Sequence, residues 1–280
     1  MKTHKGKTMN IKHIFILCLI YTNAPASNAQ IKDQDIDGVP DTLDQCPNTP
    51  FLNEVDKRGC TTTILTLPSE TETDSLTLTV GLGDNTNDDL EERSKFRTGK
   101  LKLSYYHDDW SYSINTGYYG HLKDEGALDT HIKVKKRFSL SARLKVSTGF
   151  GLKLPTFKFK GNKTDYSLYT SMHYYKTSRL SYFAGAHYTF IQDKEIDEAL
   201  QNSYGLYLGT GYFFTPQLYA NFTFSDTKIK FVREHDIKFL SVSLYYKITE
   251  DVFTTLSYGR EVDDGDLHDD LNLQMGYKLW

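Results

Sequence analysis

The sequence predicts an all-β protein, a transmembrane antiparallel up-and-down barrel of about twelve strands preceded by a compact acidic module. Three observations predict it. From Leu76 to the C-terminus, apolar and polar residues alternate with a period of two, which places the two sets on opposite faces of extended chain. The connections between these stretches alternate short and long. The last ten residues, Leu271–Trp280, are apolar at every second position and end on an aromatic.

Composition narrows the class. The 280 residues carry a formal charge of -3, with 20 Tyr, 16 Phe and 2 Trp. Mean hydropathy is -0.51. Past the N-terminus no apolar run approaches the ~18 residues of a membrane helix. A helical membrane protein is therefore excluded, but a barrel is not, because it carries its apolar band on every second residue. The near-neutral charge argues against nucleic acid as a partner.

In chain order, residues 1–29 read as a signal peptide. Lys2, Lys5, Lys7 and Lys12 precede the apolar run Ile14–Tyr21, and Ser27, Asn28 and Ala29 supply small residues for cleavage. Met9 is a second possible start. Export to an oxidising compartment lets the remaining cysteines, Cys46 and Cys60, form a disulfide.

Residues 30–60 form the acidic module. Asp33, Asp35, Asp37, Asp41 and Asp44 occupy loop positions 1, 3, 5, 9 and 12, with Gly38 at position 6. That spacing wraps carboxylates, together with the Val39 carbonyl, around one calcium ion. With the run Asp44–Pro50 and Val55–Cys60, the segment resembles a thrombospondin type 3 repeat, in the version found as a linker in the outer-membrane protein A family. The resemblance covers residues 33–60 and implies a rigid, calcium-stapled knob. The peptidoglycan-binding domain that often follows such a repeat is missing, so anchoring is not implied. Residues 61–73, rich in Thr, Ser and Glu, read as a linker.

The barrel is expected over residues 74–280. Its strands are marked in turn by Leu76–Leu82; Leu101–Tyr105; Trp110–Tyr118; Ile132–Phe138; Leu140–Leu152; Tyr166–Tyr174; Leu180–Phe190; Tyr204–Tyr212; Leu218–Phe224; Leu240–Tyr246; Val252–Tyr258; and Leu271–Leu279. Short connections are expected at His107–Asp109, Arg137–Leu140, Lys176–Arg179, Thr215–Gln217 and Lys247–Asp251. Long polar ones are expected at Gly83–Lys95, Gly120–Asp129, Leu154–Asp165, Ile191–Ser203, Ser225–Asp236 and Arg260–Asp270. An even strand count puts both termini on one side, with the short turns. Trp110, Phe138, Phe213, Phe214 and Phe253 stand beside those turns, where an interfacial girdle would lie.

The final strand resembles the C-terminal signature of bacterial outer-membrane barrels, although Trp280 is one residue out of phase with the apolar set. That resemblance implies the outer membrane of a Gram-negative bacterium, contact with its lipid and lipopolysaccharide, and an N-terminal module in the periplasm.

With the apolar set facing lipid, the alternate set lines the interior. It is mostly small and polar, but Lys100, Lys102, His131, Lys133, Lys135, Arg143 and Lys145 form a basic stripe on neighbouring strands. Low-dielectric walls focus such charge and draw anions inward. The same cations could instead pair with acidic loops folded inward or with lipopolysaccharide phosphates. Three functions are considered: a passive channel for small, anionic solutes, a non-transporting barrel whose calcium module binds a periplasmic partner, and, last, an outer-membrane hydrolase. No catalytic residue is assigned. None of the nine histidines has the Ser two positions on that outer-membrane acyl hydrolases carry.

Overall fold

The computed structural model describes residues 33–35, 37–50, 53–64, 74–88, 93–121, 124–158, 160–194, 198–232, 236–262 and 267–280. The expected signal peptide and residues 65–73 of the expected linker lie outside them.

Fifteen strands are present among the described residues: β1 (Asn53–Val55), β2 (Thr61–Ile64), β3 (Asp74–Asp88), β4 (Arg93–His107), β5 (Trp110–His121), β6 (Asp124–Ala127), β7 (Thr130–Ser139), β8 (Leu144–Leu154), β9 (Asp165–Tyr175), β10 (Leu180–Phe190), β11 (Ser203–Phe213), β12 (Leu218–Lys228), β13 (Ile237–Lys247), β14 (Val252–Glu261) and β15 (Leu267–Lys278). β1 and β2 form a separate hairpin, so the stretch read as linker begins in a strand. The others make one antiparallel sheet that closes on itself. β6 pairs only with β5, and the remaining twelve run round the ring.

Closure is made by β15 against β3, in register from Leu267↔Asp88 to Lys278↔Thr77. It continues past the strand end, where Leu76 N donates to Trp280 O at 3.1 Å and Leu279 N donates to Leu76 O at 2.7 Å. A closed sheet leaves no unpaired backbone edge, which is the condition for spanning lipid with strands.

The side chains are arranged inside out. Ser75, Thr77, Thr79, Ser104, Ser167 and Ser181 are buried, whereas Leu82, Leu168, Leu206, Leu208 and Met275 stand exposed on the outer surface. Among the described residues, the buried hydrophobic side chains are Tyr175, Phe213 and Tyr219. A water-soluble barrel would place its aliphatic residues inside.

Four turns are built alike. In Leu140–Arg143, Lys176–Arg179, Phe214–Gln217 and Thr249–Asp251 with the preceding Ile248, a Ser or Thr hydroxyl accepts backbone N–H groups two and three residues on. Ser141 takes Arg143 and Leu144, Thr177 takes Arg179 and Leu180, Thr215 takes Gln217 and Leu218, and Thr249 takes Asp251 and Val252, all at 2.9–3.3 Å. This local bond fixes the reversal. It also corrects the expected fifth strand: the turn is at Leu140–Arg143, not Arg137–Leu140, so the strand starts at Leu144. At the other end, β3 and β4 run through most of the expected loop Gly83–Lys95. β6 folds back on β5 within the expected loop Gly120–Asp129.

Candidate functional site: the lumen

Lys100, Lys102, His131, Lys133, Lys135 and Lys145 line one interior cavity of about 880 Å³. They stand on β4, β7 and β8 at alternate positions, which is why period-two reading brings them together. Arg143 does not join them: it sits in the turn before β8. Arg137, in phase with Lys133 and Lys135, takes a place at the wall. Among the described residues, no carboxylate forms an ion pair with Lys100, Lys102, Lys133 or Lys135. The neutral part of the wall follows expectation, with Ser111, Ser113, Asn115, Ser171, Asn221 and Gln274 at the cavity.

Beside the cations stands an aromatic wall absent from the sequence reading. His173, Phe183, Tyr207, Tyr219, Tyr245 and Phe253 line the same cavity. Phe213 and Phe253, expected in a girdle, therefore point inward: Phe213 is 5% exposed and packs on Tyr219 with centroids 4.8 Å apart. Trp110, Phe138 and Phe214 do face outward. The two walls meet at β9, where Lys133 and Lys135 lie 4.8 and 5.6 Å from the Tyr169 centroid and Lys145 lies 5.2 Å from that of Tyr175. Such cation–π contacts contribute about 0.5–2 kcal/mol each and hold the ammonium groups along the wall.

At the end away from the short turns, Lys153 on β8 is surrounded by carboxylates. Its Nζ lies 2.6 Å from Asp165, 3.5 Å from Asp193 and 3.7 Å from Asp129. Lys230 Nζ reaches the other Asp193 oxygen at 2.8 Å. Backbone N–H groups complete the set: Lys163 donates to Asp193, Gln192 to Asp165 and Phe157 to Asp129. Burial pushes the Asp193 carboxyl up, but the hydrogen bonds from Lys230 and Lys163 and the Lys153 charge outweigh it and hold the group below its ordinary value. The connections after β6, β8, β10 and β12 are thereby tied to one another.

In the N-terminal module, carboxylate oxygens of Asp33, Asp35 and Asp37 lie within 4.8 Å of one another. Asp41 and Asp44 are held nearby, accepting from Gln34 N at 2.7 Å and Cys46 N at 2.8 Å. Gly38 and Gly59 take φ of 94° and 79°, which favours glycine. A Cβ on Gly59 would overlap Asp44 and lie 3.1 Å from Asp37 Oδ2, so this backbone closes directly over the acids. Asp37 Oδ2 is buried without a hydrogen-bond partner. Burial raises the Asp37 carboxyl, and Asp35, Asp44 and Asp33 raise it further against the Val39 N–H. Cys46 and Cys60 are bonded, with Cα atoms 5.0 Å apart. An ion pair between Glu54 on β1 and Arg179 in the turn before β10 joins the module to the short-turn side of the barrel.

No protein-family model and no curated protein matches the sequence. The fold matches solved porins. The NanC porin shares a TM-score of 0.55 at 16% identity, over 72% of this chain and 100% of that one. The KdgM porin, solved in complex with disordered oligogalacturonate, shares 0.51 at 12% identity, over 71% and 98%. The chain is a twelve-strand antiparallel closed barrel, a fold it shares with these porins.

Proposed function

We propose that the chain is a passive outer-membrane channel for small anionic solutes, with acidic oligosaccharides as the class that suits the lumen best. The observation that carries this reading is the ladder of Lys100, Lys102, Lys133 and Lys135, which faces the cavity and forms no carboxylate ion pair among the described residues. Inside a narrow low-dielectric wall, cations so placed raise the local concentration of anions and offer successive sites for a carboxylate to pass along. Rings beside the ladder suit a solute with apolar faces as well as charge. The KdgM complex with oligogalacturonate supports that class by likeness of fold. The test is conductance of the purified, folded protein in planar bilayers. Anion selectivity with current block by oligogalacturonate is expected; a silent or cation-selective barrel would refute the reading.

The N-terminal module is proposed as a calcium-stabilised knob on the periplasmic side, like the thrombospondin type 3 repeat it resembles. Asp33, Asp35, Asp37, Asp41, Asp44 and the Val39 carbonyl would hold the ion, whose charge would relieve the repulsion among these carboxylates. The unpartnered Asp37 oxygen and the closure by Gly59 support this assignment. The Glu54–Arg179 pair supports docking of the knob beside the periplasmic turns. Calorimetric titration with calcium chloride tests the site, and no heat would end the assignment.

A further inference from the structure

Three successive inward pairs between β10 and β11 match one ring with one glycine. Phe183 lies opposite Gly209, Tyr207 opposite Gly185, and His187 opposite Gly205. In each case a Cβ on the glycine would overlap the ring itself. The arrangement continues outward on both sides: a Cβ on Gly211 would meet the Tyr219 hydroxyl, and one on Gly151 would lie 2.7 Å from Tyr169. A ring that occupies the space of a neighbouring Cβ is laid down along the wall instead of pointing at the barrel axis. One edge meets the backbone, and Phe183 and Tyr207 line the cavity.

Glycine inside a strand is destabilising relative to alanine, and a ring covering it recovers part of this by packing. Rings also cover Gly259 (Phe239) and Gly276 (Phe253) elsewhere in the barrel, but the pairs on β10 and β11 belong to a row in which the rings follow one another. Centroids step from Tyr175 to His173 at 4.6 Å, to Phe183 at 5.7 Å and to Tyr207 at 6.5 Å. Lys145 stands over the first of them.

We infer that these glycine-seated rings, chiefly Phe183 and Tyr207, form a stacking track that recognises the C–H face of a sugar ring independently of charge. The inference rests on the channel reading and deepens it. The lysines would hold carboxylates, which many anions offer. The rings would separate a saccharide from an open-chain anion of equal charge, since only a cyclic sugar presents a flat apolar face to a π surface. The glycines set the bore, because any larger residue there would lift its ring into the lumen.

Calorimetry on the detergent-folded full chain tests this without requiring an open pore. Three probes are compared: oligogalacturonate, a neutral oligosaccharide of equal length, and an open-chain polycarboxylate of matched charge. Both saccharides are expected to bind, and the polycarboxylate about tenfold more weakly than oligogalacturonate. The double variant Phe183→Leu/Tyr207→Leu should lose about tenfold for both saccharides, whereas Phe183→Tyr/Tyr207→Phe, which keeps both rings, should not. Equal binding of saccharide and polycarboxylate would overturn the track, as would unchanged saccharide affinity in the Leu double variant. An anion-selective pore that binds no sugar would remove the track and leave the channel. Sugar binding in a barrel with no conductance would keep the track and remove the channel.

Discussion

Lys153 Nζ lies 2.6 Å from Asp165, whose side chain is 2% exposed, and the same ammonium serves Asp193, whose side chain is fully buried. One lysine thus satisfies a carboxylate at the start of β9 and one in the connection after β10. Removing it would leave Asp165 buried with the Gln192 N–H but no cation, while Asp193 would keep Lys230. Lys153→Met should therefore destabilise the folded barrel by about 3–5 kcal/mol, read as a lower temperature for loss of the compact form in unboiled gel samples. Lys153→Met/Asp165→Asn should recover part of that loss.

The same network should weaken in acid. The Asp193 carboxyl is held below its ordinary 3.8, so its contribution is complete above that pH and is lost as pH falls through the lower folded-state value. Thermal unfolding in detergent should show a fall in midpoint below pH ~4, smaller in Asp193→Asn than in the wild type.

Position on the wall, not charge alone, should decide selectivity. Lys133→Gln/Lys135→Gln should reduce the anion-to-cation permeability ratio by a factor of about two or more, measured as reversal potential across a salt gradient. Arg143→Gln should leave the ratio near that of the wild type, because Arg143 belongs to a turn.

Outward residues should respond as lipid-facing groups. Leu208 is 55% exposed in the middle of β11. In a water-soluble protein, arginine there would be nearly neutral. In a barrel it should cost about 2–4 kcal/mol of folding stability in bilayers, measured by urea titration in lipid vesicles.

The module's glycine closure predicts a loss of calcium affinity. Gly59→Ala places a methyl group against Asp44 and strains a backbone at φ 79°, so calorimetric calcium binding should fall by at least about tenfold. Protons should compete with the ion. Asp37 has a raised carboxyl, so without calcium its contribution to stability is fully present only below about pH 3.8 and fades as pH rises through the folded-state value. Added calcium should reverse that trend at neutral pH.

The sequence by itself determined the class, the strand order and which face meets lipid. Each follows from a period of two, and the outward set, from Leu82 to Met275, is continuous along the chain. It also determined that Lys100, Lys102, Lys133 and Lys135 share the inner face, since a residue's phase within its strand decides its side. The turn at Leu140–Arg143 was legible in principle, because Ser141 repeats the position of Thr177, Thr215 and Thr249. Only tertiary structure decided the rest. Phe183 and Gly209 are 26 residues apart, and their match exists only once β10 and β11 are in register. The Lys153 network joins positions from Asp129 to Lys230 that no local pattern relates. Local periodicity fixes which way a side chain points, whereas register and closure fix what it meets, and the chemistry of the lumen depends on the second.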